Sequence, residues 1–149
     1  PAQAEAFRSG LASYRAELDA LEAEIEATLA PIPRERRIIV TAHDAFGYYA
    51  QAYGVTFLAP VGISTEAEPS AGAIARLIRQ MKAENVRAVF VESIADARML
   101  DRIAAETGAR IGGRVYSDAL SGPDGPAPSY AAMMRHNTRA FATALGAGS

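Results

Sequence analysis

Between residues 3 and 29 the apolar positions are Phe7, Leu11, Tyr14, Leu18, Leu21, Ile25 and Leu29. Steps of three and four place them on one face of a single helix, as a nearly heptad stripe. Glu17, Glu22, Glu24 and Glu26 take other positions. Pro31 and Pro33 end the pattern, because proline offers no N–H and clashes with the preceding turn. At about 1.5 Å per residue such a helix is roughly 40 Å long, about the width of a small domain. It reads as a strut lying along two lobes, or as an ordinary packed or coiled-coil helix.

Beyond Arg36 the runs become short and alternate in kind. Arg37 to Thr41 is a β-branched run that predicts a buried strand. Asp44 to Tyr53 predicts a helix, with Asp44 as its cap and Gly54 as its left-handed stop. Val55 to Val61 is a second strand, and Ser70 opens a helix through Ile74, Leu77, Ile78 and Met81. Ala88 to Val91 is the third strand, followed by a helix from Asp96 through Met99, Leu100 and Ile103 to Gly108. Arg110 to Val115 is the fourth strand, weakened by Gly112 and Gly113. A Gly/Pro-rich loop from Ser121 to Pro128, either a gate or a plain connection, leads to a last helix opened by Ser129. Strands alternating with helices predict an α/β fold with a four-stranded parallel sheet and helices on both faces. The expected division is a long helix over 1–32 and an α/β lobe over 33–149.

Composition narrows the function. Fifteen basic and 17 acidic side chains leave a net charge of −2. That balance gives no basic face for nucleic acid, and no block of like charge for a membrane surface. There is no cysteine, which excludes disulfides and thiolate metal sites. No window approaches the roughly 18 apolar residues of a spanning helix. The first residues carry no basic stretch followed by an apolar run, so no signal peptide is read there. The chain starts inside a helical pattern, and a fragment or processed product is expected.

In an open parallel sheet, ligands bind beyond the carboxyl ends of the strands. The polar residues there are His43 and Asp44 after the first strand and Gly62 to Glu66 after the second. Glu92 and Ser93 follow the third, and Ser117 and Asp118 the fourth. An imidazole and several carboxylates on one rim suit a first-row divalent ion. Without further ligands they make only half a site. A lone histidine after a strand also serves as a helix-start or packing residue. No phosphate-binding glycine loop, dinucleotide fingerprint or nucleophile elbow is present. A Ser117 or Ser93, His43, Asp118 triad lacks the strained turn it needs. Lys82, the sole lysine, lies within a helix, which argues against a phosphoacceptor domain.

Five ordered segments carry a resemblance. Ile39 to Ala50, which reads I-V-T-A-H-D-A-F-G-Y-Y-A, and Ala52-Tyr53-Gly54-Val55 resemble a segment of the zinc and manganese receptors of ABC importers. Gly62 to Ser70, Val89 to Ser93, Tyr116 to Leu120 and Tyr130 to Asn137 follow in the same order. The resemblance implies two α/β lobes joined by one long helix, with metal in the cleft between them. It implies a periplasmic or membrane-anchored extracytoplasmic receptor, not an enzyme, that docks on a membrane permease. His43 is then one metal ligand and Asp118 another, while two further histidines belong to a first lobe not in this sequence. A histidine at position 43 favours Zn²⁺, with Mn²⁺ the alternative. Glu92 is expected either behind the ligands, accepting from an imidazole N–H, or as a charge on the outer rim. Tyr48, Tyr49 and Tyr53 are expected as wall and core, and His136 as a packed or surface residue. The competing readings are a metal-assisted hydrolase on the same rim and an interaction domain that self-associates through the first helix.

Overall fold

The protein is described by a computed structural model covering residues 3–60, 69–86, 88–92 and 97–146. Helix α1 spans Ala4–Leu29 and stops where Pro31 prevents continuation. A 3-10 turn at Arg34–Arg36 leads into strand β1, Ile38–Val40. Then follow α2 (Gly47–Tyr53), β2 (Thr56–Leu58), α3 (Ala71–Ala83), β3 (Ala88–Glu92), α4 (Ala97–Thr107), β4 (Arg110–Val115) and α5 (Tyr130–Leu145). The four strands form one parallel sheet, as the alternating pattern predicts, and their order is β2-β1-β3-β4.

The order explains the layering. From β1 to β2 the chain steps one way, and from β2 it steps back past β1 to β3. Crossovers of fixed hand therefore put α2 on one face and α3 and α4 on the other. Alternate strand residues serve the two layers. Ile39 and Phe90 pack with α1, α2 and α5 around Phe46, Tyr49 and Phe141. Val40 and Val89 pack with α3 and α4 around Leu77, Met81, Leu100 and Ile103. Phe141 is the centre of the first layer, its ring 5.1 to 5.7 Å from those of Phe46, Tyr49, Phe57 and Phe90.

Local signals set most boundaries. The hydroxyls of Ser70 and Ser129 accept the Ala73 and Ala132 N–H groups as N-caps. Gly54 and Gly108 take the left-handed conformation past α2 and α4. The glycine pair in β4 is a bulge: Val89 pairs with Ile111, but Val91 pairs with Arg114, so β4 carries one extra residue. A Cβ on Gly112 would lie 2.4 Å from the Phe90 ring, so the core needs glycine there, while the bulge needs it at Gly113, whose φ is 108°.

The α1 stripe splits in two. Leu21, Ile25 and Leu29 are buried against the lobe, whereas Phe7, Leu11 and Tyr14 are 72%, 59% and 48% exposed. Arg37 holds the covered end. Its guanidinium donates to the carbonyls of Leu29 (2.9 Å), Ile32 (2.9 Å) and Tyr53 (2.7 Å), tying the ends of α1 and α2 together. Further up, the Tyr53 hydroxyl donates to Glu22 at 2.8 Å, and Arg135 of α5 pairs with Glu24. Burial raises the Tyr53 phenol, with the Glu22 carboxylate adding to it. Burial likewise pushes the Tyr49 phenol up to about 12, although its bond to Thr138 opposes the shift.

Two expectations change. Helix α2 begins at Gly47 with Phe46 as its cap residue, and Asp44 is exposed and caps nothing. The Ala45 N–H already bonds to the His43 carbonyl in a turn, which delays the helix. Tyr48 walls the cleft beside the sheet edge but is not part of the core. It faces out, 93% exposed, whereas Tyr49 and Tyr53 are buried as expected. Gly62 to Glu66, Ser93 and Asp96 lie outside the described residues. Among the described residues no helix is long and apolar enough to cross a membrane.

Candidate metal site

Strand order places a topological switch between β1 and β3, where the chain leaves in opposite directions and opens a crevice at the carboxyl ends. His43 follows β1, Glu92 ends β3, and Ser117 and Asp118 follow β4. The structure brings all four together. His43 Nε2 lies 3.0 Å from Asp118 Oδ2, across 75 positions of sequence. The imidazole is buried, while the Asp118 side chain is 53% exposed at the mouth.

Each side chain is placed by its backbone. The Thr41 hydroxyl donates to the His43 carbonyl at 3.0 Å and shapes the turn after β1. Behind the ring, Glu92 Oε1 accepts the N–H groups of Ala42 (2.9 Å) and His43 (3.1 Å). Glu92 Oε2 accepts the Ser117 hydroxyl at 2.6 Å and lies 2.8 Å from His43 Nδ1. That last contact is short but does not meet hydrogen-bond geometry, and among the described residues Nδ1 has no other partner. On the far side Asn137 of α5 grips the Tyr116 backbone. Its Oδ1 accepts the N–H at 3.0 Å and its Nδ2 donates to the carbonyl at 2.6 Å, extending the β4 edge up to Ser117. Asn137 is buried and escapes sequence reasoning, because nothing local marks an amide that pairs with a strand 21 positions earlier.

His43 and Asp118 supply one nitrogen and one oxygen to a common point. A tetrahedral ion with bonds of about 2.05 Å sets neighbouring donors about 3.3 Å apart, so the pair fits such an ion after a slight opening. Glu92 meets the ring on its other nitrogen and faces away from that point. Among the described residues no cluster of three or more potential ligands is present. The rim thus offers two of the four donors that zinc commonly takes. Beside it opens a cleft walled by Phe46, Tyr48, Tyr116, Tyr130 and Met133.

His136, set apart from the site by sequence, is also apart from it in space. Its Nε2 meets the Arg114 carbonyl at 2.9 Å and its ring packs edge-on to Tyr116. A separate cleft runs beside His136, Arg135 and Arg139, and among the described residues no carboxylate lines it. It lacks the donors of a metal site. The loop over Ser121 to Pro128 closes on itself through Ser121 N–H to the Ala127 carbonyl and Ala127 N–H to the Ser121 hydroxyl, both 2.9 Å, with Ala127 fully buried.

Known proteins resemble the chain along nearly its whole length. Residues 1–144 match the family profile of the zinc-uptake complex component A, periplasmic. The chain is 33% identical to the manganese-binding lipoprotein MntA of Bacillus subtilis, over 97% of this chain and 49% of that protein. It is 32% identical to the zinc-binding protein TroA of Treponema pallidum, again over 97% and 49%. It is 31% identical to the iron-binding protein YfeA of Yersinia pestis, over 98% and 47%. The solved structure of the Treponema pallidum protein superposes with a TM-score of 0.92 at 31% identity, covering 97% of this chain and 54% of that one. A manganese-bound periplasmic metal-binding protein of Candidatus Liberibacter asiaticus gives 0.89 at 27% identity, over 97% and 54%. The chain spans about half the length of the curated relatives it matches. With that match over nearly all its residues, the chain belongs to the zinc-uptake component A family, whose members are metal-binding solute receptors and not enzymes.

Proposed function

We propose that this chain is the second half of an extracytoplasmic receptor that captures a divalent metal ion as cargo and delivers it to the membrane permease of an ABC importer. In this reading residues 1–32 form the linker helix and 33–149 the second lobe. His43 Nε2 and Asp118 are two of the ligands, and two histidines of a first lobe complete the set. The observation that carries the reading is the approach of His43 and Asp118 to 3.0 Å at the switch point of the sheet. The half-covered α1 supports it, since its exposed apolar stripe continues past the lobe. The names of relatives, periplasmic or lipoprotein, support the compartment.

Relatives are named for manganese, zinc and iron, so the preferred ion is argued from the ligands. An imidazole at position 43, joined by two more, makes a nitrogen-rich set that suits Zn²⁺, with Mn²⁺ the alternative. Four protein ligands leave no open coordination position for a reacting water, so the site captures and does not catalyse.

The test is a Zn²⁺ titration of this chain with and without a separately supplied first lobe. Tight binding is expected only when both are present, and His43→Ala and Asp118→Ala each abolish it. Tight binding by this chain alone, together with ester turnover, would favour the metal-assisted hydrolase instead.

A further inference from the structure

Glu92 is fully buried, and both of its oxygens are engaged. Oε1 holds the backbone N–H groups of Ala42 and His43. Oε2 holds the Ser117 hydroxyl and faces His43 Nδ1. One carboxylate therefore bridges the loop that carries His43 and the loop that carries Asp118. A buried carboxylate is costly unless its lone pairs are met, so these contacts are coupled: loosening one exposes the cost of the rest.

We propose that Glu92 is a positioning residue that fixes the spacing of His43 and Asp118 and keeps the His43 proton on Nδ1. The proposal rests on the receptor reading of the site. A neutral imidazole carries one proton, and each ring nitrogen faces a carboxylate oxygen, at 2.8 Å for Glu92 and 3.0 Å for Asp118. Asp118 is half-exposed, so water serves its oxygens. Glu92 is sealed, and an Nδ1 without a proton would set a lone pair against the carboxylate with nothing between them. The proton belongs on the buried side. Nε2 then presents its lone pair to the shared point, the form in which imidazole binds a metal.

Glu92→Gln isolates the effect. The two backbone N–H groups pin the amide oxygen at the Oε1 position, which leaves the NH₂ facing Nδ1 and Ser117. The serine hydroxyl rotates to accept, but Nδ1–H now meets a donor. The readout is long-range ¹⁵N NMR of the His43 ring in the metal-free chain at about pH 9, where an ordinary imidazole is neutral. The unmodified chain is expected to show Nδ1–H, and Glu92→Gln to move the proton to Nε2. With the first lobe supplied, Zn²⁺ binding to the same variant is expected to weaken by about 10–100-fold. Ser117→Ala cuts only the tie to the Asp118 loop, and is expected to keep Nδ1–H while weakening Zn²⁺ binding by less. It also carries the spacing test should Glu92→Gln fail to fold. An Nε2–H ring in the unmodified chain, a Glu92→Gln variant with unchanged tautomer, or Ser117→Ala with unchanged affinity would overturn the proposal. Failure of the receptor reading looks different: with the first lobe supplied, Zn²⁺ would leave the His43 and Asp118 resonances of the unmodified chain unmoved, while the metal-free tautomer still judges Glu92.

Discussion

Replacing Arg37 by methionine keeps an apolar stem of similar reach and removes five donors. Three carbonyls lose the guanidinium: Leu29 and Tyr53 at the ends of α1 and α2, and Ile32 in the turn between, with Leu29 keeping the Ile32 N–H. A hydrogen bond from a charged donor contributes about 1.5–3 kcal/mol net. Arg37 is half-buried, so the lower end applies, and water recovers part of the loss at the helix ends. The expected destabilisation is about 3 kcal/mol. For a chain of this size that lowers Tm by about 6–12 °C. Thermal and urea unfolding followed by far-UV circular dichroism measure it. Hydrogen exchange should locate it, with faster exchange in the last turns of α1 and α2 and little change in α3 and α4. Arg37→Lys, which retains one donor but not the fork, should fall between. A Tm shift below about 2 °C for Arg37→Met would refute the clasp.

Gly112→Ala should destabilise by about 1–3 kcal/mol through overpacking against Phe90, read by the same urea unfolding; a neutral result would mean that β4 slides out of register at little cost. Stability should fall as pH rises above about 10, because Tyr49 keeps its proton in the folded chain after the unfolded chain has lost it. The expected loss is about 1.4 kcal/mol per pH unit from this phenol, complete near its folded value of about 12. Tyr49→Phe should flatten that slope in alkaline denaturation. Sedimentation velocity should show concentration-dependent self-association through Phe7, Leu11 and Tyr14, suppressed by Leu11→Glu; a monomer at all concentrations would contradict it.

The parts legible in sequence are those set by near neighbours. Ser70, Ser129, Gly54 and Gly108 mark element ends because the groups they satisfy lie within a few residues. The apolar runs give four strands, and parallel topology follows from the helices between them. Chain order also put His43 and Asp118 on one rim, since every strand of a parallel sheet delivers its exit to the same edge. What sequence does not reveal is contact at long range. Arg37 looks like the polar start of a strand, and only folding brings three spent carbonyls to it. Asn137 looks like an interruption of an apolar helix face, and Glu92 like one rim carboxylate among several. The start of helix α2 is not legible because Asp44 has the chemistry of a cap, while the turn at His43 and Ala45 uses that stretch of backbone.

Helix α1 is gripped over only half its length, which makes it a cantilever. From Phe7 to Leu18, where packing against the core begins, is about 17 Å of unsupported helix. A load on its free end reaches the lobe as torque, greatest where the helix emerges. The Tyr53–Glu22 bond and the Arg135–Glu24 pair stand at that fulcrum and brace it from two helices, α2 and α5.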